Sequence, residues 1–194
     1  MPAARETLLD AAATVVGRRP WAAVRMVEVA AIAGVSRQTL YNEFGGKDGL
    51  ARALVRRETD RYLAGVDRAL AEGGIAGAAE WTVAAARQNA VVRALLTGCW
   101  GDRLPSVPLA AVRSTAVVPA QRRVDGPLPA PGELVGMVRD RAVVALGMRG
   151  AATPDSPREC EVAVRLAVSC VVAPLSVPDG GVARLVTRAV GHPV

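Results

Sequence analysis

The chain has 194 residues, of which 51% are hydrophobic but only 3% aromatic, and its formal net charge is +6. A core built mainly from alanine, valine and leucine favours packed helices, and this length permits one large domain or a small domain joined to a medium one. The positive charge suits a polyanionic partner, but it is spread along the whole chain and supports that inference only weakly.

Several classes of protein are excluded by short signals. The first residues include acids and lack a long apolar segment, so they do not form a signal peptide. The longest uncharged run, residues 166–178, is shorter than the ~20 residues that cross a bilayer. We therefore expect a soluble, cytoplasmic protein with no membrane partner.

Cysteine and histidine are too few for a structural zinc site, because the chain has no CxxC motif and one histidine, His192. Cys160 and Cys170 fall on one predicted helix, about 15 Å apart, which is too far for a disulfide. We predict free, buried thiols and no bound metal.

The N-terminal third reads as three short helices. Apolar residues recur at helical spacing over residues 4–16, and Gly17 is expected to end this first helix. Residues 26–47 then read MVEVAAIAGVSRQTLYNEFGGK. This is a short apolar helix, a turn at Gly34, a second short helix and a stop at Gly45, which is the pattern of a helix-turn-helix.

The second helix of this motif has an inner and an outer face. Leu40 and Phe44 lie four residues apart and anchor one face, while Ser36 can cap the first turn. The outer polar side chains can reach base edges and phosphates of double-stranded DNA. Arg25 begins the helix that crosses the DNA backbone, although an ordinary surface arginine is an equal alternative. The predicted DNA-binding residues are Arg25, Ser36, Arg37, Gln38, Thr39, Tyr41, Asn42 and Lys47.

The remaining chain is predicted to be helical. A long helix runs from Lys47 to about residue 71 and is closed by Gly73 and Gly74. Residues 75–98 continue as helix with an interruption near 87–89. Further helices are expected at residues 109–118, 132–147, 157–173 and 180–190, with an extended connection at 119–131.

Helix 157–173 is apolar on nearly every side, which indicates burial on both sides. We predict a homodimer that forms through the last two helices. The alternative is a central helix within a monomer.

The segment AAIAGVSRQTLYNEFGGKDGLARAL resembles the DNA-binding domain of the TetR family of bacterial transcriptional regulators. The positions that carry the resemblance are Ala30, Gly34, Val35, Ser36, Leu40, Tyr41, Phe44, Lys47 and Leu50. The resemblance implies an all-helical homodimer, in most members a repressor that a small ligand releases from DNA. It also implies that Tyr41 and Lys47 hold phosphates, while Arg37, Gln38 and Asn42 face bases or backbone. Gln38 stands where the family often has glycine, and Asn42 where it often has histidine.

We therefore predict an all-α fold with a helix-turn-helix DNA-binding domain at residues 1–46 and a helical ligand-binding and dimerisation domain at 47–194. Large or adaptable apolar side chains suit an apolar guest. The alternative for each is an ordinary core residue. The predicted ligand-binding residues are Trp81, Leu95, Cys99, Trp100, Met137 and Met148.

Catalytic motifs are missing from the sequence. Gly45–Lys47 lacks the other residues of a phosphate-binding loop, and no GxSxG motif surrounds Ser36 or Ser169. We predict no catalytic residue and no cofactor, and a repressor function. The alternatives are a regulator that activates or needs no ligand and, from another class, a small-molecule carrier or enzyme that retains a helix-turn-helix.

Overall fold

A computed structural model describes residues 2–101, 103–105, 128–176 and 181–190. Over these ranges the chain is helical and has no strand, which confirms the predicted all-α fold. The helices are α1 (Pro2–Arg18), α2 (Met26–Ile32), α3 (Arg37–Phe44), α4 (Lys47–Gln88), α5 (Ala90–Thr97), α6 (Pro131–Met148), α7 (Ser156–Val172) and α8 (Gly181–Val190). The predicted helix at 109–118, most of the connection at 119–131 and His192 lie outside the described residues.

The described residues form two compact units. One contains those of Met1–Glu58 and Trp100–Leu128, and the other those of Thr59–Cys99 and Pro129–Val194. The predicted domain boundary between residues 46 and 47 was drawn where the DNA-binding motif ends, whereas these units are defined by contacts between residues. The boundary therefore stays a prediction.

The core of the first unit is shared by α1, α2, α3 and the first turns of α4. Its buried side chains include Leu8, Val29, Leu40 and Leu50. The predicted end of α1 at Gly17 was wrong, because the helix continues to Arg18. It stops before Pro20, whose nitrogen carries no hydrogen and cannot extend the helical ladder.

Helix α4 reverses direction at Gly74, where φ is 59° and ψ is −153°. The Tyr62 and Thr82 hydroxyl oxygens are 3.0 Å apart, although twenty residues of straight helix would separate them by about 30 Å. Trp81 Nε1 also donates to the Tyr62 carbonyl at 3.2 Å. The two arms of α4 therefore lie side by side, and the predicted break at Gly73–Gly74 is confirmed.

The second unit continues with α5, α6, α7 and α8. Asn89 caps α5 by accepting from Val91 N at 2.9 Å, which confirms the predicted interruption there. Helix α7 packs against α6 and α8 and buries Cys160 and Cys170, both free thiols as predicted. Burial raises the pKa of the Cys160 thiol.

The outer face of α7 is more mixed than the sequence predicted. Val162 and Val172 are 40% and 68% exposed, and Arg158, Arg165 and Ser169 are exposed beside them. Among the helices of the described ranges, none combines the length and apolar character that a bilayer crossing requires.

Candidate nucleic-acid interface

The turn between α2 and α3 has the predicted geometry. Gly34 has a φ of 67°, which a residue with a Cβ adopts only at a cost. Val35 N donates to the Ala30 carbonyl at 3.1 Å and directs the chain into α3. Ser36 caps this helix, because its Oγ accepts from Thr39 N at 3.0 Å.

Helix α3 is held by its inner face. Leu40 is fully buried and Phe44 is 9% exposed, four residues further along. Arg37, Gln38, Tyr41 and Asn42 are exposed on the opposite side. Thr39 is half-buried, and its hydroxyl lies 2.9 Å from that of Ser36. The side chains of Ser36 and Thr39 thus stabilise the start of the helix.

Two of the exposed side chains are bonded to each other. Gln38 Nε2 donates to Asn42 Oδ1 at 2.8 Å. The residues are four apart, a spacing that brings helical side chains together. The sequence indicated both residues as separate DNA contacts, and their spacing of four could also have indicated the bond between them.

Lys47, at the start of α4, contacts the turn that follows α1. Its Nζ donates to the Ala22 carbonyl at 3.0 Å and lies 5.5 Å from the centre of a Trp21 ring. A lysine ammonium has three N–H donors, so this bond leaves two for a phosphate. The sequence did not indicate this contact, because the short 3₁₀ helix Trp21–Ala23 leaves no periodic pattern.

Arg25 lies exposed at the N-cap position of α2. One turn further on, Glu28 accepts from Arg19 Nη1 at 3.2 Å, which ties the preceding loop to the helix. Arg25 is thus presented from a fixed part of the loop.

A buried arginine joins α1 to α4 behind the motif. Arg57 is 8% exposed, and its guanidinium donates to Asp10 Oδ1 at 2.7 Å and to the Leu9 carbonyl at 3.1 Å. Glu58 and Glu6 lie 3.3 and 3.6 Å from the same group. These contacts fix α1 relative to the first turns of α4, and no pattern in the sequence indicated them.

Of the predicted ligand-binding residues, two share a cavity. It has a volume of about 720 Å³, lies between α4 and α6, and includes Met137 and Met148 in its wall. Leu95 is buried in α5, the Trp81 ring lies against Gly65, and Cys99 is exposed. Trp100 belongs to the first unit. Within the second unit, the cavity therefore includes Met137 and Met148 but not Trp81, Leu95 or Cys99.

The cavity has apolar walls and paired charges. Leu70, Val144 and Met148 supply apolar surface, and Met148 is 79% exposed. Arg141 Nε lies 3.2 Å from Asp67 Oδ1, and Arg149 Nη2 donates to the Leu70 carbonyl at 2.8 Å. Its charged side chains are thus already engaged with protein groups.

The geometry of α2, α3 and their turn defines a helix-turn-helix protein. Residues 8–54 match the family model described as "Bacterial regulatory proteins, tetR family". The predicted resemblance of this N-terminal segment to the family is thus confirmed.

Curated relatives are similar to about a third of the chain. The HTH-type transcriptional regulator AlkX of Mycobacterium tuberculosis is 42% identical over 66 residues, which cover 34% of this chain and 31% of that regulator. An uncharacterized HTH-type transcriptional regulator of the same species is 43% identical over 58 residues, 30% of this chain and 29% of its own length. The match thus spans about a third of each relative.

A solved structure is similar along most of the chain. It is described as the TetR family repressor AlkX from Dietzia sp., implicated in biodegradation of n-alkanes. The TM-score is 0.52 at 21% identity, with 96% of this chain and 93% of that chain covered. At this identity the similarity establishes the fold alone.

Proposed function

We propose that this protein is a transcriptional regulator that binds double-stranded DNA by placing α3 in the major groove. The observation that carries the proposal is the exposed set Arg37, Gln38, Tyr41 and Asn42 on a helix fixed by Leu40. Such a helix can read base edges while its neighbours position it on phosphates. The proposed phosphate contacts are Arg25, Tyr41, Lys47 and the start of α3 at Ser36 and Thr39.

The test is selection of bound duplexes from a random pool, followed by affinity measurements on the enriched sequence. We expect Arg37→Ala to weaken binding roughly 5- to 150-fold, since one good base contact contributes about 1–3 kcal/mol. Arg93→Ala is the matched control, because it removes the same charge from an exposed position on α5 and should change affinity less than twofold. Failure of the unmodified chain to enrich any sequence would overturn the proposal.

The regulator is further proposed to act as a homodimer through α7 and α8. Two exposed valines, Val162 and Val172, interrupt the polar outer face of α7. A second copy would cover them and supply a second recognition helix. Two such helices about 34–36 Å apart match a near-palindromic operator.

The proposed effector is a small apolar molecule that binds the cavity between α4 and α6 and releases the repressor from DNA. A volume of about 720 Å³ lies within the range of small-molecule sites, and its charges are already paired. The description of the Dietzia repressor, implicated in n-alkane biodegradation, agrees with an apolar effector. Acting on DNA in a bacterium, the protein would work in the cytoplasm.

The effector proposal is tested with n-dodecane added to the protein–DNA complex. We expect release of the DNA, and we expect Ala145→Trp to abolish this response because the indole fills the cavity. Ala90→Trp adds the same bulk at an exposed position on α5 and should respond normally. If no apolar compound changes DNA affinity, a regulator that needs no ligand becomes the better interpretation. If the protein activates a reporter gene, it is an activator and not a repressor.

A further inference from the structure

The Gln38–Asn42 pair indicates which base pair the operator contains opposite these side chains. This inference rests on the proposed function. Both side chains are exposed on α3, and Gln38 Nε2 donates to Asn42 Oδ1 at 2.8 Å. Their backbone positions are about 6 Å apart along the helix axis. Two side-chain amides that could each reach a different base are instead joined to each other by this hydrogen bond.

The hydrogen bond decides which groups the pair has left for DNA. Gln38 keeps a wholly free carbonyl oxygen and one N–H, and Asn42 keeps a wholly free NH₂ group and one lone pair on its oxygen. Exchanging the roles of the two amides leaves the same combination, one free carbonyl and one free NH₂ group. The pair therefore offers one wholly free acceptor group and one wholly free donor group.

Adenine presents the complementary combination on one base, with N6–H₂ as donor and N7 as acceptor in the major groove. Guanine presents two acceptors there, so its O6 would face the free carbonyl of the pair. We propose that Gln38 and Asn42 read a single A·T base pair as one unit.

The other outward groups of α3 do not duplicate this role. Arg37 carries donors only and cannot accept from adenine N6. The hydroxyls of Ser36 and Thr39 lie 2.9 Å apart at the helix start. Tyr41 is assigned to a phosphate under the proposed function, so specificity for adenine at this part of the groove is assigned to the pair.

The experiment compares duplexes selected from a random pool by the full chain, Gln38→Ala, Asn42→Ala and the double variant. We expect the two single variants to lose preference at the same A·T position and to keep the rest of the site. On that site, replacing A·T by G·C should cost the unmodified chain on the order of tenfold in affinity and each variant less than about twofold. The double variant should be no weaker than either single variant, because removing one amide already breaks the unit.

Arg37→Ala serves as the control, because it should bind more weakly while keeping the A·T preference. Loss of preference at two different positions would overturn the proposal, as would additive losses in the double variant or an unchanged A·T preference. In those cases the unmodified chain still enriches a defined site, so the proposed function stands. Failure of the unmodified chain to enrich any site would overturn the proposed function as well.

Discussion

Lys47 combines two roles at the scale of a single residue, since it holds the Trp21–Ala23 turn and lies where a phosphate contact is proposed. In Lys47→Met the hydrogen bond to the Ala22 carbonyl is lost but the aliphatic stem remains. We expect the free energy of unfolding, measured in urea, to fall by about 1 kcal/mol. DNA affinity should fall by more than this loss of stability explains.

Lys47→Arg is the matched variant, because it keeps the positive charge but replaces the ammonium. We expect it to retain more DNA affinity than Lys47→Met, with a salt dependence close to that of the unmodified chain. Equal DNA affinity in Lys47→Met and the unmodified chain would show that Lys47 acts only on the fold.

At the scale of one element, the reversal of α4 requires the two arms to approach closely at Gly65. A Cβ at this position would overlap the Trp81 ring. We expect Gly65→Ala to lower the free energy of unfolding by about 1–3 kcal/mol, the usual cost of overpacking. Gly73→Ala, also in α4 but facing open space, should be neutral or slightly stabilising. Similar stabilities of these two variants in urea would contradict the side-by-side packing.

The same packing predicts a dependence of stability on alkaline pH. Burial raises the pKa of Tyr62 to about 12 from its ordinary value of 10, although the Thr82 hydrogen bond acts in the opposite direction. Because the folded chain holds this proton more tightly, the stabilisation is complete below pH 10 and is lost as the pH rises through 12. The contribution is about 2–3 kcal/mol.

Urea unfolding from about pH 9 to about pH 12 measures this effect. The unmodified chain should lose stability more steeply than Tyr62→Phe, which carries no ionisable hydroxyl at this position. Parallel curves for the two proteins would place the alkaline transition elsewhere in the chain.

At the scale of the whole molecule, Val172→Asp tests the proposed dimer. Val172 is 68% exposed in the single chain, so a charge there should leave the fold intact. In a dimer that covers α7 it would be desolvated, and sedimentation at micromolar concentration should change from dimer to monomer. Val144→Asp, at a valine 61% exposed on α6, should remain a dimer. Sedimentation of the unmodified chain as a monomer would contradict the proposed assembly.

The sequence predicted the features that depend on near neighbours. Gly34 and Ser36 mark the turn and the helix start, and Leu40 with Phe44 shows which face is buried. The Arg57 cluster could not be predicted in this way, because it joins residues more than forty positions apart. The cavity was predicted only in part, since its membership depends on how α4 folds back and packs beside α6.

Because Lys47 is the single lysine of the sequence, one cleavage can divide the chain at the end of the helix-turn-helix. A protease that cleaves after lysine has one target in the 194-residue sequence, the peptide bond after Lys47. That bond lies in the first turn of α4. The Lys47 side chain, which such a protease must bind, donates a hydrogen bond to the Ala22 carbonyl. Cleavage of the native protein would therefore require this turn to unfold locally. The rate of cleavage would then measure how often the start of α4, next to the helix-turn-helix, unfolds.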